Sequence, residues 1–433
     1  MTVAVIGLGK IGLPLAVQFA GAGNEVVGMD TDPAVVVSVN SGDPSFPGEP
    51  GLRDGLRAAI NAGVFAATVS ADEAVAGATT VVVAVPLVID DRQEPLFDQL
   101  DSATDAIGSA IHAGTLVSYE TTLPVGTTRR LAADLAETSG LELGVDLFVC
   151  HSPERVSSGS VFADLRRYPK LVGGVDAASG ARATAFFQSV LTFDTRSDLA
   201  RPSGVWDLGS SEATELTKLM EVIYRDVNIA LSNEFAVAAQ RLDLDIERLI
   251  EAANSQPFSH LHSPGIAVGG HCVPVYPHLY LFGEPDARLP RAARAVNDAM
   301  PEYGARLLEE ALGGLMERRV AVLGLAYRGG VKESAFSGTG PLVEALSARG
   351  ANVAVHDPLY TSEEIRAAGF EPYALGERCD AAVVHTDHTQ YAELGPADLP
   401  GIAALVDGRR LTDPENWPNV TWRAIGGGSH APG

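Results

Sequence analysis

One run of residues occurs twice in this chain. Thr2-Val-Ala-Val-Ile-Gly-Leu-Gly9 opens it, and Val320-Ala-Val-Leu-Gly-Leu-Ala326 repeats the run nearly residue for residue. Each copy reads as a short buried strand entering a tight turn. Each is followed by a second strand ending in an aspartate: Asp30 after Glu25–Met29, and Asp357 within Ala351–Pro358. Strand, turn, helix and strand in this order close as a parallel sheet wrapped on both faces. A duplicated unit of this kind therefore predicts two such sheets.

The rest of the chain fits around that frame. Residues 2–7 and 25–30 predict strands flanking a helix over 11–22, and further β-type runs stand at 80–85, 115–119 and 147–150. Residues 211–254 change character: they lack Gly and Pro, are apolar at helical spacing and break only near Asn254. They predict one or two long helices that link the halves and supply a dimer surface. The fold class expected is α/β, with two Rossmann-like doubly wound parallel-sheet domains joined by long central helices. The expected domains are 1–205, 206–310 and 311–433. The tail from Gly426 to Gly433 reads as a flexible end.

Composition removes several classes of function. A net charge of -24 opposes binding to nucleic acid or an anionic membrane. The longest apolar run, Val81 to Ile89, is interrupted by Pro86 and falls far short of the ~20 residues a membrane helix needs. The first residues are already strand-like, with no basic leader before an apolar segment. Three scattered cysteines form no disulfide framework and suit a reducing cytoplasm.

Gly7-Leu-Gly-Lys-Ile-Gly12 is a GxGxxG turn between a strand and a helix, and Asp30 follows near the ~20-residue spacing expected of a dinucleotide site. Gly7 permits the turn, Gly9 lets the backbone approach a pyrophosphate, and Gly12 allows the helix to pack on the strand. Asp30 would accept hydrogen bonds from a ribose and repel a 2′-phosphate, which favours NAD over NADP. The second copy is read as lacking the second and third glycines, with Ala326 in the middle place, and is expected to hold no dinucleotide.

Ser263-Pro-Gly-Ile-Ala-Val-Gly-Gly-His-Cys-Val-Pro274 carries Cys272 among glycine, histidine and proline. That setting suits a reactive thiol, whereas a structural cysteine usually lies among aliphatic side chains. A thiolate beside a hydride acceptor can trap an aldehyde as a thiohemiacetal and leave a thioester after a second oxidation. A zinc reading of His260, His262, His271, Cys272 and His278 is weaker. Their spacing matches neither a helical HxxxH pair nor CxxC knuckles, and no metal is expected.

With Cys272 beside the nucleotide turn, the chain resembles the nucleotide-sugar 6-dehydrogenases over nearly its whole length. It most resembles the branch acting on UDP-N-acetylhexosamines. The resemblance rests on Gly7–Gly12, Thr121-Thr-Leu-Pro-Val-Gly-Thr-Thr128, Ser152-Pro-Glu-Arg-Val156, Lys218 in Leu216-Thr-Lys-Leu-Met-Glu221, and Gly269-Gly-His-Cys272.

The resemblance implies Cys272 as nucleophile and Lys218 as oxyanion stabiliser. It implies Glu154 and Thr122 as residues that order water or relay a proton. An NAD site would comprise Gly7, Gly9, Lys10, Ile11, Gly12, Asp30, Val85, Pro86 and Thr122. Glu154, Arg155, Lys218, His262, Gly265, Gly269, Gly270 and Arg328 would contact a UDP-sugar, in a cytoplasmic homodimer. The implied activity oxidises C6 of the sugar to the uronic acid, with two NAD reduced per turnover.

Three positions depart from the family pattern. Val222 stands where the family has Asn, Tyr276 where it has Asp as a candidate base, and Ala335 where it has an Arg. Tyr276 is then expected to take a different catalytic part, and the second oxidation or thioester hydrolysis to be altered or slow. Two alternatives are a two-electron dehydrogenase, as in the 3-hydroxyacid dehydrogenases, and a non-catalytic binder of NAD and nucleotide sugar.

Overall fold

The computed structural model describes residues 1–46 and 48–427; most of the expected flexible tail, 428–433, lies outside the described residues. By its internal contacts the chain divides into two units, Met1–Glu221 with His278–Gly283, and Val222–Pro277 with Glu284–Gly433.

The first unit is built on an eight-stranded sheet. Its strands are β1 (Thr2–Ile6), β2 (Glu25–Met29), β3 (Phe65–Thr68), β4 (Thr80–Val83), β5 (Thr115–Tyr119), β6 (Leu147–His151), β7 (Lys170–Gly174) and β8 (Val205–Asp207). They lie in the order β8-β7-β6-β5-β4-β1-β2-β3. The order reverses between β1 and β4, which opens a crevice at the carboxyl ends of the strands, where such sheets bind ligands. Val3, Val5 and Val82 of the sheet pack with Leu13, Phe19 and Phe187 of the helices in a fully buried core. The sheet is not wholly parallel, because β7 runs antiparallel to β6, pairing Cys150 with Gly174 and His151 with Gly173. Residues 152–169 between them hold only a short helix, Val161–Arg167, and no long crossover helix to carry the chain back for parallel pairing.

The second unit holds an all-parallel five-stranded sheet in the order β10-β9-β11-β12-β13. These strands are β9 (Arg319–Leu323), β10 (Asn352–His356), β11 (Ala381–Val384), β12 (Ala404–Asp407) and β13 (Thr421–Ala424). Two α/β sheets, each with its own core, bear out the fold class read from the duplication.

The copies differ at their turns. After β1, helix α1 (Gly12–Gly21) begins at the third glycine of the motif. A second helix of this unit, α2 (Thr127–Ser139), starts at the Gly126 turn. After β9, Gly329 does stand in the third-glycine register, which corrects the expectation that this glycine is lacking, yet helix α5 (Thr339–Ser347) begins only ten residues later. The second copy also occupies its own aspartate. Asp357 is buried and accepts the Leu325, Ala326 and Leu359 amides, with His388 Nε2 at 3.1 Å. Gly330 N–H donates to His388 Nδ1, which leaves the Nε2 proton for Asp357.

The long apolar stretch forms α3 (Ser211–Arg241) and α4 (Ile246–Asn254). The break thus falls at residues 242–245, earlier than expected. Asp243 adopts a left-handed φ of 55°, which Asp tolerates better than most residues. Asp245 then caps α4 by accepting Glu247 N–H.

Candidate active site

In the first unit the Gly7–Gly12 turn has the geometry its motif requires. Gly7 takes φ 91°, and a Cβ on Gly12 would meet Gly7 O at 1.7 Å, so α1 packs against the turn only with glycine there. Gly9 is exposed, and its absent Cβ would find nothing within 4 Å. Asp30 is held at the end of β2 by the Leu8 amide (2.9 Å to Oδ2) and the Asp32 amide (3.0 Å to Oδ1). An open glycine face beside a fixed carboxylate fits a dinucleotide's pyrophosphate and ribose. Lys10 and Ile11 are half-buried in the same turn. Val85 and Pro86 follow β4, and Thr121 ties its loop to that strand end by donating from Oγ1 to Val85 O at 2.5 Å. Thr122, next along, is buried.

The loop after β5 and the residues after β6 converge. Glu154 N–H donates to Glu120 O at 3.2 Å. Glu154 Oε1 accepts the Arg155 amide at 2.9 Å, and Oε2 accepts Lys170 Nζ at 2.9 Å. Lys218 is buried on α3, and its Nζ donates to Glu154 O at 2.7 Å. A solvated charge on a long helix is therefore excluded for Lys218. Arg155 spends its guanidinium on Glu221 (2.6 Å) and on Pro169 O (3.1 Å). A cavity of about 10 Å³ beside these groups is lined by Glu154, Arg155, Tyr168 and Lys170. That volume is near the minimum for a single water.

His151 lies directly before this turn and is fully buried, with Nδ1 2.9 Å from Thr214 Oγ1 and Nε2 3.0 Å from Thr121 O. Burial pushes its pKa down to about 3, so the ring is neutral at pH 7 and acts as a fixed strut. Glu120, Lys170 and His151 belong to this cluster although no motif marks them. For Glu120 and His151 the available signal was their place directly after the strand runs at 115–119 and 147–150, where ligands gather; Lys170 stands on a strand the sequence hid.

In the second unit, Cys272 is exposed, whereas Cys150 and Cys379 are buried. Burial pushes the Cys150 thiol up to about 12 and raises that of Cys379. Cys272 is thus the accessible thiol of the three. Its loop is pinned along its length. Gly265 N–H donates to Asn233 Oδ1 (2.9 Å), Ile266 N–H to Gly408 O (3.1 Å) and Gly270 N–H to Ala335 O (3.1 Å). The Cys272 carbonyl accepts the amides of Val275 and Tyr276, fixing the turn into the helix Tyr276–Gly283. Gly270 has φ 95°, and a Cβ there would lie 3.0 Å from the Tyr327 ring.

His271 Nε2 meets Glu333 at 3.2 Å. Arg328 sits with its guanidinium 5.8 Å from the Tyr327 ring centroid. Arg409, which sequence reasoning passed over, donates from Nε to His385 O, and its guanidinium would lie 2.9 Å from a Cβ on Gly265. His262 is half-buried; burial lowers its pKa, and Arg225 adds to the effect. At the three departures, Val222 is buried, Tyr276 half-buried, and Ala335 contributes its carbonyl to the cysteine loop. Among the described residues no group of three His, Cys, Asp or Glu is arranged to hold a metal ion. No described helix is long and apolar enough to cross a membrane.

Residues 1–191, 212–299 and 321–416 match, in turn, the NAD binding, central and UDP binding domains of the UDP-glucose/GDP-mannose dehydrogenase family. The chain is 35% identical over 398 residues to the UDP-N-acetyl-D-mannosamine dehydrogenase of Pyrococcus horikoshii, covering 90% of each. It superposes on the solved UDP-D-ManNAc dehydrogenase of that organism with a TM-score of 0.88 at 32% identity, covering 99% of this chain and 100% of the other. A UDP-glucose dehydrogenase from Pyrobaculum islandicum gives a TM-score of 0.85 at 29% identity, covering 98% of each chain. These matches bear out the resemblance read from the motifs.

Proposed function

The chain belongs to the UDP-glucose/GDP-mannose dehydrogenase family and is an NAD-dependent UDP-sugar dehydrogenase, and we propose that it oxidises C6 of a UDP-N-acetylhexosamine to the uronic acid through Cys272. The observation that carries this reading is the exposed thiol of Cys272 on a pinned glycine loop, when both other cysteines are buried. The relatives named for UDP-N-acetyl-D-mannosamine supply the sugar class.

Bound at the Gly7–Gly12 turn, NAD supplies the two-electron oxidant. The chain's own residues handle the carbon and the protons. Cys272 Sγ adds to the C6 aldehyde and forms a thiohemiacetal, whose oxidation leaves a thioester for water to open. The Lys218 ammonium balances the oxyanion at C6. Glu154, fixed at both oxygens, exchanges the proton of the reacting hydroxyl or of the attacking water, and Thr122 helps to order that water or relay the proton.

In this reading residues 1–205 hold the cofactor, 206–310 carry the cysteine loop, and 311–433 hold the uridine diphosphate, with Arg328, His262 and the loop glycines at the sugar nucleotide. The protein works in the cytoplasm as a homodimer. A panel of UDP-, GDP- and dTDP-sugars followed by NADH absorbance tests the substrate class. Turnover confined to UDP-N-acetylhexosamines is expected, and turnover of GDP- or dTDP-sugars alone would overturn it.

A further inference from the structure

Lys170 lies in β7, outside every motif that marks the site, and it is buried together with Glu120. Its ammonium has three protons, and each has an acceptor. Nζ donates to Glu120 Oε2 at 2.5 Å, to Glu154 Oε2 at 2.9 Å and to Ser152 O at 3.2 Å. An ammonium has no further donor to offer, so Lys170 acts through its neighbours and not on a substrate. The three acceptors come from two segments, the end of β5 and the turn after β6. Lys170 therefore ties the Glu154 turn to the sheet.

Glu120 is the anchor of this arrangement. Ser118 Oγ donates to its Oε1 at 2.9 Å, which leaves Oε2 aimed at Lys170. Burial alone would lower the Lys170 pKa, but the carboxylates of Glu120 and Glu154 outweigh it and keep the group charged. Burial pushes the Glu120 carboxyl up to about 7. Two carboxylates and two ammonium groups, Lys170 and Lys218, thus meet around one turn, and Glu154 is held at its carbonyl, its amide and both carboxylate oxygens. A carboxylate that must accept a proton at one defined carbon gains most from such fixing, since a misplacement of 1 Å can cost about 10² in rate.

We propose that Lys170, anchored by Glu120, is a positioning residue for Glu154, locking the carboxylate in the orientation that the oxidation uses. The inference rests on the catalytic reading of Glu154 and is tested beside it.

The experiment measures kcat and KM for NAD and the UDP-sugar in Lys170→Met, Lys170→Arg, Glu120→Gln, Glu154→Gln and the double variant K170M/E154Q. Lys170→Met is expected to lower kcat about 10–100-fold with both KM values unchanged. Lys170→Arg should recover most of the rate, and the double variant should be no slower than Glu154→Gln. Glu154→Gln at full rate would sink the reading of Glu154 itself. A slow Glu154→Gln beside a fast Lys170→Met would sink only the positioning role, as would a Lys170→Met defect confined to KM. Should Lys170→Met fail to fold, Glu120→Gln decides. A several-fold loss in kcat alone supports the proposal, and a kcat equal to that of the unmodified enzyme overturns it.

Discussion

At the scale of single residues, Val222 is where the proposed chemistry can be probed. It lies one helical turn beyond Lys218 on α3, so both side chains share a face. A buried valine there offers no hydrogen bond to an oxyanion, and losing one such donor costs about 10²–10³ in rate where nothing replaces it. Steps after thiol capture should therefore be slow, and intact-mass analysis during turnover should find the sugar covalently bound to Cys272. Val222→Asn should shorten the lifetime of that adduct and raise kcat. An enzyme with no adduct, and no gain from Val222→Asn, would contradict the account.

Cys272 was legible because glycine, histidine and proline around a thiol are unlike a core. Glu120, Lys170, His151 and Arg409 were not. A lone polar residue at a strand end has no spacing to read, and only the folded sheet of the first unit brings Glu120, Lys170 and His151 together.

At the scale of elements, the start of α2 depends on α3. Glu215 of α3 accepts Gly126 N–H at 2.6 Å, Thr128 N–H at 2.7 Å and Thr128 Oγ1 at 2.6 Å, closing the first turn of α2. Buried donors left unpaired cost roughly 1–3 kcal/mol. Glu215→Ala should therefore lower the apparent Tm by several degrees, as calorimetry would show. Burial pushes the Glu215 carboxyl up to about 7, above its unfolded value of about 4.3. The folded chain keeps a proton there that the unfolded chain releases. This group's contribution therefore makes stability fall as pH rises between about 4 and 7, then level off. Glu215→Gln should remove that part of the slope, and an unchanged slope would count against the assignment.

The sequence made the paired sheets readable through strand–turn–strand runs that recur with an aspartate at a fixed place. It hid β3, whose Phe-Ala-Ala-Thr is a weak strand former, and the antiparallel β7, whose direction depends on the loop before it. The early break after α3 carried a signal in Asp243 and Asp245, a turn former and a helix cap, but helical periodicity on both sides masked it.

At the scale of the whole molecule, α3 presents an apolar face that its own chain leaves exposed. Tyr224, Leu231 and Phe235 recur at helical spacing and are 56%, 40% and 45% exposed. Phe258 is 92% exposed at the tip of a loop braced by the side chains of Asn228 and Asn254. Sedimentation should find a dimer that the double substitution L231E/F235E converts to a folded monomer. A monomeric parent, or a variant that stays dimeric, would remove the proposed interface.

The central claim, that Cys272 captures an oxidised C6 and carries it to the acid, is tested most directly by counting NADH formed per UDP-sugar consumed, with the product identified by mass. The account predicts two NADH and a uronic acid, with acid formation abolished in Cys272→Ala. One NADH per sugar and an aldehyde product, or acid formed at an undiminished rate by Cys272→Ala, would contradict it.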